Sequence, residues 1–347
     1  SRNDQIATIE RMYVKNSIHD LVSKIEILQR EIVLKAENHL DYVMPSYTHL
    51  QRAQPILLSH QLMAYYEMLQ RDKLRLINCY EIADELILGS GAVAGSFYKL
   101  DRNFLAKELG FKKINSNSID GVSDRDFIIE FLSSISISMM HLSRISEELI
   151  IWCSEEFDFI KLSDDVVTTS SMMPQKRNPD FLELIRGKFG GILGNFISLL
   201  VTMKSLPFSY NRDMQEDKKP LLNSVDEFSN SLINMTQIIK KSKFNKIKLE
   251  NATNGNILAT DIADLLALNG VPFREAHIKV SDLTSKLKKQ GKVLSDLNLI
   301  DLKDIFKIDF NLKIDLFKSI NSRKLKGGTA ISQVRKEIIT AKKNFEL

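Results

Sequence analysis

Between Thr168 and Pro179 the chain gathers a pair of serines, a lysine, an asparagine and two prolines: Thr169-Ser170-Ser171-Met172-Met173-Pro174-Gln175-Lys176-Arg177-Asn178-Pro179. Hydroxyls, an ammonium and an amide in one loop can accept a proton, hold an anion and orient a polar ligand. Two further polar islands carry comparable groups. One is Tyr47-Thr48-His49-Leu50-Gln51-Arg52-Ala53-Gln54-Pro55 and the other is Tyr210-Asn211-Arg212-Asp213-Met214-Gln215-Glu216-Asp217-Lys218. Each island alone also has an ordinary explanation. A lone His after a turn is commonly structural, a Ser-Ser pair beside Pro is commonly a flexible loop, and charges at 212–218 suit a solvated helix start. None of these explains why one loop combines so many reactive groups.

The elements around the islands read as long helices. No proline lies between Pro55 and Pro174, and proline is the residue that most reliably stops a helix. Within that stretch Phe127, Phe131, Ile135, Met139, Leu142, Ile145 and Leu149 recur at steps of three and four, which predicts one apolar stripe on a long helix. Ile9, Leu21, Ile25, Leu28 and Ile32 predict another. Strand-like alternation is scarce, so the fold class is all-α, a bundle of long helices. Met44-Pro45-Ser46-Tyr47 reads as a turn between helices, with Pro55 in the first turn of the next. Asn178-Pro179 reads as a helix N-cap and first position, which puts Asp180 and Glu183 in the opening turn. Long helical bundles hold their chemistry where helices end and side chains converge, which is where the islands fall. From about Asn251 the helices shorten. The expected division is a central bundle domain over residues 1–251 and a small helical C-terminal domain over 252–347.

Composition narrows the function classes. Of 347 residues, 44% are hydrophobic and 27% charged, as in a folded globular protein. Lys and Arg total 48 against 44 Asp and Glu, and the excess is spread along the chain, which gives nucleic-acid binding no basic tract to act through. The two cysteines, Cys79 and Cys153, are far apart and lack metal-site spacing. The apolar run around Gly190 to Met203 is too short to span a bilayer, and no apolar leader opens the sequence. A cytoplasmic protein without nucleic-acid or membrane partners is expected.

The loop at 169–179 closely resembles the signature of the fumarase/aspartase superfamily, G-S-S-x-M-P-x-K-x-N-P. The other islands are similar to those of its argininosuccinate lyase family. So are Ser1-Arg2-Asn3-Asp4-Gln5, Asn117-Ser118-Ile119-Asp120-Gly121-Val122-Ser123-Asp124-Arg125-Asp126-Phe127, Val271-Pro272-Phe273-Arg274-Glu275-Ala276-His277 and Gly327-Gly328-Thr329-Ala330. Thr169 and Ser46 stand where that family usually has Gly, and a Cβ at 169 restricts any positive φ the loop needs. The sequence opens inside the Ser-Arg-Asn-Asp motif. The family's preceding N-terminal domain, which supplies further substrate contacts, is therefore expected to be missing, and the chain alone is expected to be nearly inactive.

The resemblance implies an anti β-elimination that splits argininosuccinate into arginine and fumarate. It implies Ser170 as base, with its alkoxide stabilised by loop N–H groups and Lys176. It also implies His49 on the acid side, with Glu183 orienting the imidazole. Asn3, Thr48, Asn178, Tyr210, Gln215 and Lys218 match the family's substrate-binding positions. No metal, nucleotide or redox cofactor is implied. A homotetramer is, with the long helices in one shared bundle and each site built from several subunits. Two alternatives stand beside this reading: another superfamily lyase such as adenylosuccinate lyase, and a crystallin-like structural relative or inactive fragment.

Overall fold

A computed structural model describes residues 1–307 and 315–345. The chain forms two compact units. The first comprises Ser1–Glu31, Tyr66–Trp152 and Leu162–Ser242; the second comprises Ile32–Tyr65, Cys153–Lys161 and Lys243–Leu347. Within the expected domain at 252–347, residues 308–314 and 346–347 lie outside the described residues.

In chain order the first elements are α1 (Arg2–Glu37), β1 (Val43–Thr48), β2 (Gln51–Leu57) and α2 (Leu58–Ala83). Short pieces follow: β3 (Glu85–Leu86), α3 (Arg102–Glu108), β4 (Lys113–Ile114) and α4 (Ser118–Ser123). Then come α5 (Asp126–Cys153), β5 (Ile160–Lys161), β6 (Thr168–Thr169), β7 (Arg177–Asn178), α6 (Asp180–Met203), α7 (Lys218–Lys241) and β8 (Lys243–Phe244). Among the described residues, strands occur only as four two-stranded pairs. The all-α expectation holds.

The first unit is organised by α5. The stripe from Phe127 through Leu149 is wholly buried, as its spacing requires. Ser134, Ser136, Ser138 and Ser146 between those positions are buried too, and the helix itself satisfies two of them. Ser136 donates to Leu132 O at 2.8 Å and Ser138 donates to Ser134 O at 2.9 Å. Val14, Ile18, Leu21, Ile25 and Leu28 of α1 and Phe228, Leu232 and Met235 of α7 are buried as well. Ile9 departs from the expected stripe and is 50% exposed, because Ala7 and Val14 take the inward positions of that turn. Helices α1 and α2 run antiparallel. Gln29 Nε2 reaches Tyr66 O at 3.3 Å, Lys73 Nζ meets Glu26 Oε1 at 3.1 Å, and Arg11 Nη1 donates to Ile82 O at 3.0 Å.

The second unit corrects the reading of residues 44–55. They form not a turn and a helix start but the antiparallel hairpin β1–β2. Pro45 lies opposite Pro55, so the two residues without an N–H share one rung and cost the ladder little. Ser46 occupies a bulge between Pro45 and Tyr47. Its hydroxyl donates to Gln54 O at 2.8 Å and accepts from Gln54 N at 3.0 Å, replacing the interrupted backbone pairing. The Thr329 hydroxyl accepts from Leu57 N at 2.9 Å, which ties the end of β2 to the C-terminal region. That region contains α8 (Lys246–Asn251), α9 (Ala259–Leu268), α10 (Phe273–Lys289), α11 (Leu299–Phe306), α12 (Leu316–Ser322) and α13 (Ile331–Lys343). Ile262, Leu266, Ala276, Val280 and Leu283 pack together as its core.

Candidate functional site

The serine loop is itself a small hairpin. Thr168 pairs with Asn178 and Thr169 with Arg177, so β6 and β7 bring the two ends of the loop together. At its tip Ser170 Oγ accepts hydrogen bonds from Met172 N at 3.2 Å and Met173 N at 3.1 Å. Two N–H dipoles aimed at one hydroxyl oxygen favour its anionic form. Lys176 closes the turn through its backbone, donating to Met173 O at 3.0 Å and accepting from Ser170 N at 3.4 Å, and its side chain is exposed. Thr169 is extended within β6 and has no positive φ, so its Cβ is accommodated in this conformation.

Helix α6 starts directly after the loop. Pro179, not Asn178, is the N-cap, because Asn178 is drawn into β7. Asp180 and Glu183 do fall in the first turn. The Thr168 hydroxyl donates to the Asp180 carboxylate, fastening the loop entry to the helix start. Glu183 is exposed, and its backbone N–H bonds to Pro179 O at 3.1 Å.

In the third island, Arg212–Asp217 is a 3-10 segment leading into α7. It brings two expected binding residues together, with Gln215 Nε2 donating to Tyr210 Oη at 3.3 Å. Lys218 opens α7, where its ammonium lies 2.7 Å from Asp217 Oδ1 and 2.8 Å from Glu10 Oε1. Arg125 lies behind them, its Nε 2.6 Å from Asp217 Oδ2 and 3.1 Å from Glu10 Oε2. Burial is the largest influence on Lys218 and acts to lower its pKa. The bonds to Asp217 and Glu10 outweigh it and hold the ammonium above the usual lysine value. Burial likewise pushes the Glu10 carboxyl up, although Arg125 and Lys218 pull against it.

Sequence reasoning passed over Glu10, Arg125 and Asp217. The available signal was Glu10-Arg11, two charges set between the core positions Ala7 and Val14 of an apolar helix. Asp4 was also missed. Its Oδ2 accepts from Gly89 N at 3.0 Å and Gly91 N at 2.9 Å, which pins the loop after β3 to the start of α1. Gly91 has φ +65, and a Cβ there would meet Gly95 O at 2.6 Å, so the clamp needs glycine. Asn3, beside this anchor, is half-buried.

His49 and Thr48 belong to the second unit. Thr48 pairs with Gln51, leaving His49 and Leu50 as the two-residue turn of the β1–β2 hairpin, each with φ 55. Such turns favour Asn and Gly, and two ordinary L-residues in left-handed conformation mark local strain of the kind found at functional sites. His49 is exposed there. Tyr47 packs its ring 5.8 Å from that of Phe157. Burial pushes its phenol pKa up, and Arg52 opposes the shift.

The chain is similar to known lyases. The family described as Lyase matches residues 1–194, and the family described as Argininosuccinate lyase C-terminal matches residues 256–324. An argininosuccinate lyase of Sulfurihydrogenibium sp. is 49% identical over 97% of this chain and 74% of its own length. One from Dehalococcoides mccartyi is 47% identical over 99% of this chain and 75% of its own. Among solved structures, EDDS lyase in complex with formate superposes with a TM-score of 0.91 at 27% identity. It covers 100% of this chain and 72% of that one.

Proposed function

The chain belongs to the argininosuccinate lyase family, and from that premise we propose how its residues divide the reaction. The enzyme is a carbon–nitrogen lyase that splits argininosuccinate into arginine and fumarate, a step of arginine biosynthesis.

The hydrogen to be removed lies next to a succinyl carboxylate and is weakly acidic, because the carbanion adds charge to a group already negative. Ser170 is the base. The observation that carries this role is the pair of N–H donors on its Oγ, which lowers the cost of an alkoxide. Lys176, at the close of the same turn, adds positive charge as the carbanion forms. His49 delivers a proton to the departing guanidino nitrogen, with Glu183 fixing its tautomer. Asn3, Thr48, Asn178, Tyr210, Gln215 and Lys218 hold the carboxylates and amino group. Proton transfer and preorganised charge suffice for this scheme, and no metal or cofactor takes part in it.

Ser170→Ala should lower kcat by at least about 10²–10⁴-fold, read from the ultraviolet absorbance of fumarate, with the thermal midpoint unchanged. Near-normal turnover in that variant would remove Ser170 from the base role.

The same reading extends to assembly. Helix α6 turns Leu182, Ile185, Ile192 and Leu199 inward, while Leu184, Ile197 and Val201 are exposed on another face. Gly187, Gly190, Gly191 and Gly194 lie along that outer face, where a Cβ added at any of them would meet nothing within 4 Å beyond the helix's own backbone. Although α6 has the length and composition of a membrane span, charged Asp180, Glu183, Arg186 and Lys188 fill its first turns and its glycines suit close helix packing. A cytoplasmic homotetramer, with α6 of each subunit in a shared bundle, covers this face with further copies of itself. Sedimentation should therefore show a tetramer, and a well-folded monomer at micromolar concentration would rule the assembly out.

A further inference from the structure

We propose that Glu10 and Asp217, locked in place by Arg125, are positioning residues that pre-aim the Lys218 ammonium at the substrate. This rests on the substrate-binding reading of Lys218 given above.

The four side chains form a closed ring of alternating charge. Each carboxylate gives one oxygen to Arg125 and the other to Lys218. Asp217 offers Oδ2 at 2.6 Å and Oδ1 at 2.7 Å, while Glu10 offers Oε2 at 3.1 Å and Oε1 at 2.8 Å. The side chains of Arg125, Glu10 and Asp217 are only 2%, 6% and 0% exposed, whereas that of Lys218 is 43% exposed. Three members of the ring are thus sealed in the core, and the fourth faces outward.

An ammonium has three N–H donors. One is donated to Asp217 Oδ1 at 2.7 Å, and the Glu10 carboxylate lies at ion-pair distance on the same side, 2.8 Å away, so the charge is held against the ring and the remaining donors are left for a ligand. A lysine on an exposed helix start would normally sample many rotamers of its flexible stem. Here the order is imposed before the ligand arrives, and binding need not impose it. The partners also keep Lys218 charged against burial. Neutralising Arg125 alone would take one carboxylate; with two, a negative charge is left over, and both carboxylates face Lys218. Glu10 comes from α1 and Asp217 from the segment leading into α7, so the aim of Lys218 is set jointly by two distant stretches of sequence.

A role in holding the ligand affects KM; a purely structural role would show in folding and not separate KM from kcat. The test uses the enzyme as it is encoded and a double-mutant cycle of Glu10→Gln, Lys218→Met and the combined variant, assayed by fumarate release. Glutamine keeps the shape of Glu10 and removes its charge. Expected for Glu10→Gln is a KM raised roughly tenfold, the order of one close charge pair lost, with kcat within about threefold. The combined variant should be no worse than Lys218→Met alone, since both remove one interaction. An unchanged KM in Lys218→Met overturns the substrate-binding reading and the proposal with it. A raised KM in Lys218→Met together with an unchanged one in Glu10→Gln, or with effects that multiply, overturns the positioning role alone. Should Glu10→Gln fail to fold, Asp217→Asn is read by the same criteria.

Discussion

Replacing Arg125 with Met keeps most of the side chain's apolar volume and removes its charge. In the native protein this guanidinium lies between Asp217 and Glu10 and also donates from Nη1 to Asp124 O at 2.8 Å. Without it, two buried carboxylates share a single cation, Lys218. Breaking a buried ion pair by removing one partner costs about 3–5 kcal/mol. The third bond, to Asp124 O, keeps the expectation toward the upper part of that range. For a chain of this size the loss corresponds to a drop in thermal midpoint of roughly 4–7 °C. The pH dependence sharpens the test. Burial already raises the Glu10 pKa in the folded state, and losing Arg125 raises it further. A carboxyl whose folded pKa exceeds its unfolded value favours the fold while protonated. That contribution is lost as pH rises through the folded pKa. The deficit of Arg125→Met should therefore shrink on going from neutral to mildly acidic pH. Differential scanning calorimetry of both proteins across that range measures it. A midpoint drop under about 2 °C, or a deficit that does not change with pH, would refute the account of the ring.

Two further substitutions probe backbone strain. Leu50→Gly should raise stability by a few tenths to about 1 kcal/mol, because relief of a left-handed L-residue exceeds the entropy glycine adds to the unfolded chain. Leu50 is 71% exposed, so little burial is lost, and a lowered midpoint would contradict the strained turn. Gly91→Ala should cost about 1–3 kcal/mol through its positive φ and the contact with Gly95 O; chemical denaturation with an unchanged midpoint would show that the loop relaxes freely.

What the sequence disclosed followed periodicity. The stripe on α5 could be read directly because seven apolar residues at helical spacing with no interruption admit one interpretation. The hairpin at 43–57 stayed hidden because Pro45 and Pro55 look like helix punctuation when each is read alone. Only their mutual placement across two strands lets them share a rung. The shift of the α6 cap from Asn178 to Pro179 has the same origin, since β6 and β7 pair residues that local propensity treats separately. At the candidate site, the motif residues were visible as types in a pattern. The ring behind Lys218 was not, because Glu10 is more than a hundred residues from Arg125, and no spacing rule links them.

The clamp of Asp4 on Gly89 and Gly91 carries a consequence for how the chain acquires its structure. Joining positions 85 residues apart from an open coil costs about 4 kcal/mol in loop closure before any constant term. Two bonds to a carboxylate return about that much and no clear surplus. Once α1 and α2 have zipped from Gln29 against Tyr66 down to Arg11 against Ile82, the remaining open span is roughly fourteen residues and the closure cost falls to about 2 kcal/mol. The clamp is therefore a late event in folding, dependent on the helical pair beneath it. By the same reasoning it is the first part of that pair to release, and the amide hydrogens of Gly89 and Gly91 should exchange with solvent well before those of the helices they fasten.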